Sequence, residues 1–172
     1  MWFGRREPQG KSGKSWDDAF ELVVNFEINT PEARRLLRPY VAVWVEDKEG
    51  VPVRTLLLWY QLGRGVRWLN SLKRWVRGEK LRQLADGGDQ STNGAITGAT
   101  RQPGKYKTIW NGRDDQGKPV AQGTYTICVE AAREHGTYQI QRKEVTLTNK
   151  PLKADLGGNI EIKTASLEYR RK

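Results

Sequence analysis

The chain has 172 residues, with 30 Lys and Arg against 20 Asp and Glu, a net charge of +10. That length suffices for one domain burying about two-thirds of its unfolded surface; a single cysteine excludes an internal disulfide, and no 18-residue apolar run offers a membrane-spanning helix. The positive charge attracts phosphate, acidic lipid or an acidic partner and carries no information about fold.

Residues 1–18 are rich in Gly, Lys and Ser and are expected to be a flexible segment with Trp2 and Trp16 as anchors. Their basic residues precede no apolar h-region, so no secretory signal is visible; a cytoplasmic protein and a mature segment without its leader both fit. In FELVVNFEI, Phe20, Leu22, Val24, Phe26 and Ile28 alternate with Glu21, Val23, Asn25 and Glu27, the period of a half-buried strand. YVAVWVED repeats the alternation, and the turn KEGVPV followed by VRTLLLWY makes a hairpin.

The period changes in GVRWLNSLKRWVRG. Trp68, Leu69, Leu72, Trp75 and Val76 form an apolar stripe at helical spacing, with Arg67, Lys73, Arg74 and Arg77 largely on the other side. This predicts a helix ending near Gly78, with two tryptophans docked on the sheet. Residues 79–104 have weak periodicity and read as a long connection. Strands resume in KYKTIW, TYTICVEAA, YQIQRKEVTLT and IEIKTASLEYR. The expected fold is all-β: an immunoglobulin-like antiparallel β-sandwich of about seven strands with one inserted amphipathic helix, forming a single domain over residues 19–172.

WNGRDDQGKPVAQGTYTI, residues 110–127, carries the densest local signal. Asn111-Gly112 supplies a tight turn, Asp114, Asp115 and Gly117 add Asx-type turn chemistry, and Pro119 pre-sets φ. No His or third carboxylate stands at ligand spacing from the paired aspartates, so no metal site is expected. His135 likewise lacks partners, Glu130, Arg133 and Glu134 read as cross-strand or turn pairs, and Cys128 reads as a small core residue. No catalytic constellation emerges.

Between Gly63 and Lys107, ten Lys and Arg face only Glu79, Asp86 and Asp89. Trp68 and Trp75 amid these cations raise a stacking platform for single-stranded nucleic acid, but their i, i+7 spacing places both on the apolar stripe. Nucleic acid is therefore a minor reading.

Residues 103–131 resemble the immunoglobulin-like repeat of flagellar hook-capping proteins, through Trp110-Asn111-Gly112, Asp114, Gly117, Pro119 and Gly123-Thr124-Tyr125. Over residues 19–169, the stretches RPYVAVWVEDKEGVPVRTLLLW, WLNSLKRW, ITGATRQPGKYKTIWNGRDDQGKPVAQGTYTICVEAAREHGTY and LGGNIEIKTASLEY resemble an uncharacterised family of predicted periplasmic bacterial proteins. Its genes commonly stand beside those for PepSY-type membrane proteins and FAD:protein FMN transferases. The resemblance implies an extracytoplasmic, non-catalytic accessory protein of a membrane redox or metal-uptake system, with those two proteins as partners.

In that setting TGAT is similar to the acceptor pattern for covalent FMN, Asp-x-x-[Ser/Thr]-Gly-Ala-[Ser/Thr]. Thr97 takes the first hydroxyl position, Gly98 and Ala99 the small pair, and Thr100 the acceptor, with Arg101 or Lys105 beside the phosphate. The acidic residue six positions before the acceptor is replaced by Gly94. The competing expectation is that ITGATRQPG is only a turn, in a binding module whose basic face engages an acidic partner or membrane surface.

Overall fold

A computed structural model describes residues 13–30, 38–60, 70–85, 97–133 and 137–172. In chain order the elements are β1 (Phe20–Ile28), β2 (Tyr40–Glu46), β3 (Pro52–Trp59), α1 (Lys73–Ala85), β4 (Thr97–Gly98), β5 (Gly104–Trp110), β6 (Gly123–Ala132), β7 (Tyr138–Leu147), β8 (Leu152–Gly157) and β9 (Ile162–Arg171). Two sheets stack, one ordered β5-β1-β9-β8 and the other β4-β3-β2-β6-β7. Every strand pair is antiparallel except β3 with β4. The order β3-β2-β6-β7 matches C′-C-F-G of an immunoglobulin sandwich and β5-β1 matches E-B, while β9 and β8 bring the chain's end to the free side of β1. Among the described residues no helix is long and apolar enough to cross a membrane.

The alternation in β1 sends Phe20, Leu22, Val24, Phe26 and Ile28 into the space between the sheets. There they meet Val41, Val43 and Val45 of β2 and Ile127 and Val129 of β6. Each such side chain contributes about 1.5–3 kcal/mol when fully buried. Strand β2 is buried on both faces, because Tyr40, Ala42 and Trp44 point away from the sandwich into a second apolar cluster. That cluster contains Leu58, Cys128 and Ala132 and is closed by Leu72 and Trp75 at the start of α1.

The expected helix forms but is displaced. It starts at Lys73 and runs through Gly78 to Ala85, so part of the expected 79–104 connection is helical. Gly78 marks a close approach, not an end: a Cβ there would stand 2.7 Å from Cγ of Pro52. Trp75 docks on the sheet as expected, whereas Trp68 and Leu69 lie outside the described residues. The described residues contain nine strands where about seven were expected, the two additions being β4 and β8. Leu152–Gly157 has the period of a strand but follows a Pro and ends in Gly, and β4 is only two residues long.

Beside the first strand, Trp16 anchors the segment expected to be flexible, and Trp2 lies outside the described residues. Trp16 N–H donates to Val120 O at 2.9 Å, and its ring packs 4.9 Å from Trp110 and 5.3 Å from Tyr169. Nearby, the Tyr125 hydroxyl returns to Ala121 O at 2.5 Å, the tyrosine corner of immunoglobulin-like sandwiches.

Gly112 has φ of 76°, and a Cβ on it would fall 2.0 Å from Cδ2 of Trp16; Gly117, at φ of 81°, has open space. Gly112→Ala is therefore expected to cost about 2–4 kcal/mol, combining left-handed strain with overpacking, against about 1–2 kcal/mol for Gly117→Ala. Urea unfolding of the two variants checks the ranking, and equal losses would contradict the Trp16 contact.

Candidate functional site

Helix α1 has no acidic residue in its first turn, so its leading N–H groups need acceptors from elsewhere. Glu130 on β6 supplies them across the second cluster. Its Oε2 accepts the Arg74 N–H at 2.8 Å and its Oε1 the Trp75 N–H at 3.1 Å, while the Tyr138 hydroxyl donates to Oε2 at 2.5 Å. A carboxylate here also meets the positive end of the helix dipole. The side chain is fully buried, and burial pushes its pKa up against the lowering pull of Tyr138, Trp75 and Arg74.

Glu46, also fully buried, closes the other side. Arg74 reaches both of its oxygens at 3.3 Å, Arg142 reaches Oε2 at 2.7 Å, and the Trp44 indole N–H reaches Oε1 at 3.1 Å. Burial alone would raise its pKa; the hydrogen bonds from Arg74, Arg142 and Trp44 outweigh that and hold it below the usual value. Cys128 lies under the same carboxylate, its thiol pushed up to about 12 chiefly by burial, so it stays protonated. The Trp75 indole N–H donates to Thr55 Oγ1 at 3.0 Å. The two carboxylates are sealed from solvent while Arg74, Arg142 and Tyr138 reach them from the edge, and together they act as a clamp for α1. The sequence carried a signal for it, since Glu46 shares the phase of Tyr40, Ala42 and Trp44, yet Glu130 reads there as a cross-strand or turn pair and Arg74 as a solvent-facing residue.

The TGAT segment stands at the edge of the five-stranded sheet. Thr97 and Gly98 pair with Leu58 and Trp59, and Tyr60 N–H donates to Gly98 O at 3.1 Å. The backbone before Thr100 is thus held in a ladder and not in a free loop. Ala99 is exposed and Thr100 half-buried, and Arg38 Nη1 donates to Thr100 O at 3.5 Å. The exposed Arg101 lays its guanidinium 5.6 Å from the Trp59 ring centroid, a contact worth about 0.5–1 kcal/mol. Trp59 meets Tyr106 edge-on at 5.0 Å, and the Tyr106 hydroxyl donates to Gln102 O at 2.7 Å. Lys105 is exposed on β5. Gly94 lies outside the described residues. Arg38, Trp59 and Tyr106 come from three separate segments, so sequence spacing gave no sign of their meeting.

The paired aspartates are turn formers. Asp114 Oδ1 accepts the N–H groups of Gln116 and Lys118, each at 2.9 Å, and Asp115 Oδ1 accepts Thr55 N–H at 3.2 Å. Arg133 grips the buried Glu161, with Nη2 at 2.6 Å from Oε2. Glu134 and His135 lie outside the described residues.

The two clamp carboxylates titrate with opposite consequences. Glu46, lowered in the fold, contributes stability that is present above the ordinary carboxylate value of 4.5 and lost as pH falls through its folded pKa. Glu130, raised in the fold, favours the native state below 4.5 and loses that contribution as pH rises through its folded pKa. Glu46→Gln is expected to cost about 2 kcal/mol at neutral pH, with Arg74 and Arg142 left facing an amide, and to flatten the acid-side loss. Thermal unfolding between pH 3 and 7 tests this, and an unchanged acid limb would contradict it.

The family model described as "Predicted periplasmic protein (DUF2271)" matches residues 21–164, from β1 into β9. No curated protein and no solved structure matches the chain. The match takes in both sheets, α1 with its two buried carboxylates, and the edge segment bearing Thr100, and the chain therefore belongs to the DUF2271 family of predicted periplasmic proteins.

Proposed function

We propose that the protein is a non-catalytic extracytoplasmic accessory module of a membrane redox or metal-uptake system, and that Thr100 is an attachment point for FMN. The observation that carries this reading is the surroundings of Thr100. A short backbone ladder holds Thr97 and Gly98, the exposed Ala99 leaves the approach open, and Arg38 and Arg101 bring two cations to the acceptor segment. Arginine suits a phosphoester because its planar fork pairs with two oxygens. Trp59 and Tyr106 place aromatic rings beside the same segment. The two arginines support the phosphate half of this reading; Trp59 is buried, so the half-buried Tyr106 is the ring nearer to a flavin's reach.

Attachment forms one bond between Thr100 Oγ and the FMN phosphorus of FAD and breaks the pyrophosphate P–O bond. AMP leaves, and the hydroxyl proton passes to a base on an FAD:protein FMN transferase. Once attached, the flavin supplies the electron chemistry, and the protein supplies position and electrostatics. A covalent link also keeps the cofactor from being lost outside the cytoplasm. A PepSY-type membrane protein is the proposed electron partner.

Co-expression and export with an FAD:protein FMN transferase, followed by intact-mass analysis and peptide mapping, tests the reading. An FMN-sized increment is expected on the peptide holding Thr100, retained in Thr97→Ala and lost in Thr100→Ala. An unmodified Thr100 peptide would leave the segment as a sheet-edge turn.

A further inference from the structure

The solvent face of α1 carries charge of one sign. Lys73, Arg77 and Lys80 are all exposed and stand at i, i+4 and i+7, one row about 10 Å long. With Asn70 and Val76 they line an open groove of about 410 Å³. Among the described residues no carboxylate pairs with any of the three, and the Lys73 ammonium instead rests 5.2 Å from the Tyr138 ring centroid. The one acidic residue of the helix, Glu79, is buried and has its own partner. Neighbouring Arg74 is turned down to Glu46 by the clamp, so the fold itself separates the arginine that holds the helix from the cations left to solvent.

We infer that this face of α1 docks on a membrane surface bearing anionic phospholipid headgroups. Charge complementarity and geometry favour that occupant. Three long, flexible cationic side chains in an open row suit an array of phosphates, whereas a single small anion is held by converging, buried donors. A nucleic-acid strand needs a series of free rings for its bases; here Trp75 is buried against the sheet, and the one exposed ring described at this face, Tyr138, is covered by Lys73 and tied through its hydroxyl to Glu130. Basic residues clustered on one helix face are the charge pattern that anionic lipid attracts, at about 1 kcal/mol per cation near the surface, and Lys73, Arg77 and Lys80 form such a cluster. The family's description as predicted periplasmic is compatible with such surfaces being within reach. The docking does not depend on Thr100 or on FMN.

Flotation of the full chain with vesicles tests the inference. Phosphatidylglycerol-containing vesicles are expected to capture the protein, pure phosphatidylcholine vesicles to leave it behind, and added salt to release it. Replacing Lys73, Arg77 and Lys80 together by Gln should weaken binding on the order of a hundredfold, at about fivefold per cation. A control variant with Gln at Lys107, Lys153 and Lys163 removes equal charge from the four-stranded sheet and should bind nearly as the native chain does. All six side chains are exposed, and Arg77→Gln alone provides a milder check at about fivefold. Equal loss in the two triple variants would make the attraction one of net charge and overturn the α1 face. So would failure to bind anionic vesicles, or release by millimolar inorganic phosphate at constant ionic strength, which would assign a small-anion site instead.

Discussion

Two carboxylates, Glu46 and Glu130, lie fully buried beneath α1, and a charge removed from water persists only among donors that replace the lost hydration. The donors here are drawn from three directions. Arg74 and Trp75 offer backbone N–H groups from the helix, Arg74 and Arg142 offer guanidinium groups from above and beside, and Trp44 and Tyr138 complete the set from the sheet. The requirement ties the helix to β2, β6 and β7 at once. It also explains why a helix with an acid-free first turn can begin at Lys73: its N-cap is a residue more than fifty positions later in the chain.

The consequence is a sandwich with two apolar layers, since the central strand β2 is buried on both faces. Valines fill the space between the sheets, and Tyr40, Ala42 and Trp44 fill the space under α1. The opposite flank is locked by aromatic packing of Trp16, Trp110, Phe20 and Tyr169. With both ends of the fold secured, the sheet edge at β4 holds the backbone of Thr97 and Gly98 while Ala99 is exposed and Thr100 half-buried.

Much of the architecture was legible because strand periodicity reports which side chains share a face. Phe20 through Ile28 and Tyr40 through Glu46 predicted their strands, and the 110–127 turn chemistry predicted the loop that Asp114 stabilises. The helix boundary was not legible, because Gly78 reads as a stop in one dimension and as a close approach to Pro52 in three. Strand β8 was hidden by its Pro and Gly flanks, and β4 by its length. At the TGAT segment the hydroxyl and small residues could be read directly, whereas the flanking Arg38, Trp59 and Tyr106 are assembled only by strand pairing. The buried carboxylates left a trace, an acidic residue on an apolar phase, but periodicity cannot say whether such a residue ends a strand at the surface or caps a helix packed above it.

The clamp is tested most directly by native-state hydrogen exchange on the chain and on Glu130→Ala. Slow exchange at the amides of Arg74 and Trp75 is predicted in the native protein. Loss of that protection is predicted in the variant, with Val24 at the centre of the other sheet still protected. Protection of Arg74 and Trp75 that survives the substitution would show that the helix is held by apolar packing alone, and the account of Glu130 as its remote cap would be wrong.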